Sequence, residues 1–176
     1  MCATLDPILI KDWPKRVHGS LFDGQTARVF QRQFITFDEM KAISDEFEEF
    51  LAETGFSPSK VADIAIAASE ALENARKSLN EPMEDTDAEH EPIPVAVTAI
   101  TSKFGALIIF VRDHVGMKGV EKMKFAAPPE ELDEHGRGSF IMRTLSSFMA
   151  IIPEPNGSDK EVILGFCEKR ARGIKH

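Results

Sequence analysis

The sequence predicts a two-layer α/β sandwich (α+β), with a mixed β-sheet and helices packed on one face. Three observations lead there. A strand-like run is followed by two consecutive helical segments, two β-rich runs are joined by the short link SKFG, and a glycine-led helix stands before one last strand. The 176 residues, 43% of them hydrophobic, suffice for one well-buried core but leave no room for a second domain of similar size. The chain is expected to divide into an extension over residues 1–25 and one domain over 26–176.

The extension carries Pro7, Pro14, Gly19 and Gly24, which interrupt any long period, and its ILI run offers at most a short strand. From Ala27 to Ile35, ARVFQRQFI spaces β-branched and aromatic residues loosely by two, as a strand does. Next, Thr36 and Glu39 stand at the spacing of a capping box that opens the helix FDEMKAISDEFEEFLAE, with Gly55 as its C-terminal stop. Ser57-Pro58 supplies a cap and a first-turn proline for a second, alanine-rich helix running to Leu79.

An acidic, proline-punctuated loop, NEPMEDTDAEHEPIP, separates the helices from PVAVTAIT and ALIIFVRD, which read as an antiparallel hairpin. The second run is apolar on both faces and belongs at the centre of the sheet. From His114 to His135 the chain turns irregular, with Gly116, Gly119, Pro128 and Pro129. Then GRGSFIMRTLSSFM reads as a glycine turn feeding a helix, PEPNG as a break, and EVILGFCEK as the last strand.

A formal net charge of −8, from 29 acidic and 21 basic residues, argues against a nucleic-acid partner, because backbone binding needs basic patches. Cys2 and Cys167 form no disulfide framework and have no metal-ligand spacing. The N-terminal MCATLDPILIKDWPKR holds neither a signal peptide nor a membrane span. A soluble protein of the reducing cytoplasm is the expectation.

Three places carry potential chemistry. Four residues advance a helix by about 400°, so Glu70 and Asn74 in SEALENARKSLN point the same way, one turn apart. Ala67 and Ala71 flank them, and Val61, Ala65, Ala68, Leu72, Ala75 and Leu79 form a stripe on the other side. The same pattern equally describes a solvent-facing Glu and Asn, and Asp63 and Lys77 on that side agree with it. In VRDHVGMKG, Asp113 ends an apolar strand before Gly116; it either accepts from an exocyclic amine or caps its own turn. Gly136 and Gly138 precede an apolar helix whose free N–H groups and dipole favour an anion, although a plain hinge has the same sequence. No Walker loop is present.

In this order and spacing, SEALENA, VRDHVG and HGRGSFIMRTL resemble the N, G1 and G2 boxes of the GHKL (Bergerat) ATP-binding superfamily. Within it, the chain is similar to the serine kinases that act as anti-sigma factors in bacterial partner-switching systems, over about Ala27 to Lys169. The resemblance implies a histidine-kinase-like ATPase domain that uses ATP and Mg²⁺. Asn74 would hold the metal, Glu70 would act as base or orient the attacking hydroxyl, and Asp113 would recognise the adenine amine. Gly116, Gly136 and Gly138 would bring backbone to the nucleotide, and Met117–His135 would form a long ATP lid.

The implied activity is phosphorylation of a STAS-type antagonist protein, with a sigma factor as alternative partner, a homodimer as the assembly, and neither nucleic acid nor membrane involved. Two departures stand out. Val115 and Met117 occupy glycine positions of the G1 box, and the usual Gly-Gly-Thr before the last strand is replaced by Gly157-Ser158 nearby. They keep open a non-catalytic reading, in which a regulator of the same fold binds nucleotide weakly or not at all. A detached sensor-kinase module is a third reading, and it would need a phosphoacceptor histidine in trans. The chain's own His18, His90, His114, His135 and His176 show no metal or triad spacing.

Overall fold

In the computed structural model, which describes residues 26–79, 93–102, 105–114, 137–153 and 159–167, strand β1 (Thr26–Phe34) leads into helix α1 (Phe37–Ala52). The junction is the predicted capping box. Glu39 N donates to Thr36 Oγ1 at 3.2 Å, while Thr36 N and Ile35 N donate to the Glu39 carboxylate at 3.0 and 2.8 Å. Helix ends leave such N–H groups without intrahelical partners, which is why a Thr-x-x-Glu pair starts a helix. The backbone donors, Ile35 first and then Thr36, hold Glu39 below its ordinary carboxylate value.

Because that pKa is lower in the folded chain than in the unfolded one, its contribution is present above the carboxylate range and lost as pH falls through it. Thr36→Ala should cost about 1 kcal/mol, seen as a fall in melting temperature of about 2–4 °C. Calorimetric scanning would check it.

Helix α2 (Pro58–Leu79) begins at the predicted proline. Its buried face is broader than the predicted stripe: Ile64, Ala67, Ala68, Ala71, Leu72 and Ala75 are all buried, while Val61 and Ala65 are only partly so. α1 contributes Met40, Ile43, Phe47, Phe50 and Leu51 to the same core. Phe30 on β1 meets Phe47 and Phe50 with ring centroids 5.2 and 5.5 Å apart.

The other strands are β2 (Val95–Ser102), β3 (Ala106–Asp113), β4 (Phe148–Pro153) and β5 (Lys160–Cys167), with helix α3 (Arg137–Leu145) before β4. The sheet order is β1-β2-β3-β5-β4, so the doubly apolar run is indeed central. Its odd residues Leu107, Ile109 and Val111 face the helices, and Ile108 joins Ile100, Ile152 and Ile163 in a smaller cluster on the opposite face.

Two expectations need correction. The sheet is not mixed: all four pairings among the described strands are antiparallel. Parallel neighbours need a crossover of a dozen or more residues, and the links from β2 to β3 and from β4 to β5 are too short for one. The glycine-led helix is also shorter than predicted. It ends at Leu145, and Phe148–Pro153 is an edge strand.

That strand forms because FMAII is apolar and β-branched, and because Gly165 leaves room for it. A Cβ at Gly165 would overlap Cε1 and Cδ1 of Phe148, its cross-strand partner. Residues 1–25, the acidic loop at 80–92, the whole of the expected lid (117–135) and residues 154–158 lie outside the described residues.

Candidate functional site

Helix α2 presents Glu70 and Asn74 half-buried, one turn apart, rather than open to water. What stands over them is the backbone of Gly138 in the first turn of α3: a Cβ there would lie 2.7 Å from Glu70 Oε2 and 3.1 Å from Asn74 Nδ2. Three of the predicted site residues are therefore brought together. Small side chains allow it, since Ala67 and Ala71 beside the pair are fully buried and let the helices approach closely.

The opposite ends of these helices are tied as well. Lys60 Nζ donates to Leu145 O at 3.2 Å, which places a cation at the C-terminus of α3, and lies 5.4 Å from the Phe166 ring centroid on β5. Ser147, just after α3, donates its N–H to Gly165 O at 2.7 Å. Lys60, Leu145 and the end of β5 thus mark one end of the sandwich.

Going back along β5 from Phe166 to Lys160 covers about 20 Å at the usual strand rise. Going forward along α2 from Lys60 to Asn74 covers about 21 Å at the helical rise. Since α2 runs antiparallel to α3, and α3 leads through a two-residue link into the β4–β5 hairpin, Lys160 and Asn74 stand at the same, opposite end. Asp113, paired in register with Lys160, stands there too.

Asp113 is 2% and Lys160 6% exposed, and Lys160 Nζ lies 3.3 Å from Asp113 Oδ1. Both share the helix-facing side of the sheet with Val111 and Val162. A charge this deep requires a partner, and the sheet register supplies one. Flanking pairs have alternating polarity: Arg112 with Glu161 at 3.4 Å and His114 with Asp159 at 3.0 Å. Beyond the pair on α2, Arg76 grips Glu73 through two bonds of 2.7 and 2.8 Å and holds that carboxyl below its ordinary value.

Gly116 and Gly136, predicted to approach the nucleotide, lie outside the described residues. Lys160 is the residue that sequence reasoning missed. A lysine opening an apolar strand was visible, but its facing residue depends on a pairing between strands some fifty positions apart.

No cluster of three or more His, Cys, Asp or Glu side chains with metal-binding geometry occurs among the described residues. The neutral amide of Asn74 beside the Glu70 carboxylate still fits Mg²⁺, which keeps most of its ligands as water and phosphate oxygens and asks for one or two protein oxygens. Cys167 is a free, exposed thiol. No helix among the described residues is long and apolar enough to cross a membrane.

An antiparallel sheet covered on one face by helices, with an acid–amide pair under a glycine-led helix and a buried carboxylate at the same end, defines a two-layer sandwich of the Bergerat ATPase class. The chain belongs to the family of the histidine kinase-like ATPase domain, whose model matches residues 36–164. The resemblance to the GHKL superfamily read from the sequence is thereby met.

Two solved structures share the fold. The RsbU and RsbW domains of Rv1364c from Mycobacterium tuberculosis align at 19% identity and TM-score 0.54, over 80% of this chain and 32% of that one. The SiaB-SiaC complex from Pseudomonas aeruginosa aligns at 15% identity and TM-score 0.57, over 87% of this chain and 96% of its counterpart. No curated protein matches the chain in sequence.

Proposed function

We propose that the protein is an ATP-dependent protein-serine kinase that phosphorylates a STAS-type antagonist protein and, in its other state, sequesters a sigma factor in the cytoplasm. The observation that carries this reading is the convergence of Glu70 and Asn74 on the Gly138 backbone. The family supports ATP as the phosphoryl donor. Likeness to an RsbW domain and to a SiaB-SiaC complex supports a protein rather than a metabolite as the counterpart.

In this reading the backbone at the start of α3 donates to phosphate oxygens, Asn74 holds Mg²⁺, and Asp113 accepts from the adenine amine. Bound Mg²⁺ neutralises charge on the phosphates. Glu70 orients the substrate serine and accepts its proton as the serine oxygen bonds to the γ-phosphorus and ADP departs. The serine reading predicts an acid-stable phosphoester, whereas a sensor-kinase module would label histidine and lose the label in acid.

Incubating the purified protein with γ-labelled ATP, Mg²⁺ and a candidate antagonist tests it. Label on an antagonist serine supports the reading; no transfer and no heat of ATP binding leaves a regulator that works by contacts alone. Asn74→Ala should remove the Mg²⁺ dependence of nucleotide binding. Titration calorimetry with Mg²⁺ and with EDTA checks this, and an unchanged Mg²⁺ effect would take the metal away from Asn74.

A further inference from the structure

We propose that Lys160 is a base-reading residue, and that the Asp113–Lys160 pair recognises two adjacent atoms of the adenine edge. The carboxylate accepts from the exocyclic amine, and the ammonium donates to ring nitrogen N1. This rests on the ATP-binding reading above and adds to it a second recognition group, on β5.

The geometry points this way from four sides. Lys160 and Asp113 are fixed opposite one another by the β3–β5 register, so their donor–acceptor order across the two strand ends is set by the backbone. Both are buried on the helix-facing side of the sheet, at the end of the sandwich where α2 and α3 bring Glu70, Asn74 and Gly138. Their polar atoms stand 3.3 Å apart, close enough for two parallel hydrogen bonds to one heterocycle. Finally, an ammonium has three donors, so Lys160 Nζ can serve Asp113 and a base nitrogen together.

An ammonium can donate to a second acceptor while it keeps its carboxylate partner. Adenine offers one next to the amine that Asp113 would accept, so an incoming base satisfies both groups without breaking their ion pair. A neutral amine cannot replace the ammonium as the counter-charge of a buried carboxylate. It can share that carboxylate, whose two oxygens offer about four acceptor positions.

Calorimetric binding of ATP and of 1-deaza-ATP, in which N1 is replaced by C–H, tests the inference on the unaltered protein. Loss of a hydrogen bond to a charged donor should weaken the analogue by about 10–100-fold. Lys160→Met should bind ATP more weakly by a similar factor and no longer distinguish it from 1-deaza-ATP. Should this variant fail to fold for want of Asp113's counter-charge, the comparison on the unaltered protein still decides.

Equal affinity of the unaltered protein for the two nucleotides overturns the role of Lys160 while leaving ATP binding intact. So does a Lys160→Met variant that still discriminates. Absence of any ATP binding overturns the kinase reading itself and reduces the pair to a structural one.

Discussion

Glu70→Gln is expected to slow phosphoryl transfer to the antagonist serine by about 10²–10⁴-fold, the usual contribution of a positioned base, while ATP affinity changes by less than about threefold. The substitution preserves length, volume and one acceptor oxygen, and removes the negative charge and with it the capacity to take up a proton. Glutamine therefore still fits beneath Gly138, where the carboxylate lies now, and Asn74 keeps its place one turn on. Single-turnover rates with saturating ATP isolate the chemical step from product release. An unaltered rate would show that Glu70 neither accepts the proton nor orients the hydroxyl, and would return it to the role of a partly buried helix residue.

Most of the fold was legible because its elements announce themselves locally. The Thr36–Glu39 box, the Ser57-Pro58 start and the apolar run of β3 each contain their own physical cause within a few residues. Features that depend on partners were not. Strand β4 follows α3 after only two serines, and its first residue is accommodated by Gly165 on the neighbouring strand, so Phe148 and Met149 read as the end of the helix. The all-antiparallel sheet likewise depends on which strands become neighbours, not on any strand's composition.

The site divides along the same line. Glu70 and Asn74 were visible as a pair because helical spacing alone aligns them, yet spacing could not distinguish solvent from a covered position. The α3 backbone makes that distinction, and it comes from residues more than sixty positions later. Asp113 was visible at the end of its strand; its counter-charge was not, since Lys160 becomes its neighbour only when β3 and β5 pair. A carboxylate read in isolation as a turn cap is thus a buried member of an ion pair.

Gly138→Ala should separate stability from function in opposite directions. In the first turn of a helix, alanine is preferred over glycine by up to about 1 kcal/mol, so the melting temperature should hold or rise slightly. The added methyl, however, would sit 2.7 Å from Glu70 Oε2 and 3.1 Å from Asn74 Nδ2, closer than carbon and these atoms tolerate. Relief is cheap in stability because both are ends of side chains that can rotate away, and that rotation removes the base and the metal-holding amide from their places. A displacement on the order of 1 Å in such a site costs about 10²-fold in rate. The clash has an internal control: in a Glu70→Gln background, where the base is already lost, the alanine should add less than its full 10²-fold penalty to the transfer rate. A Gly138→Ala protein that transfers phosphate at the unaltered rate would mean that the two helices do not hold this pair in its working position.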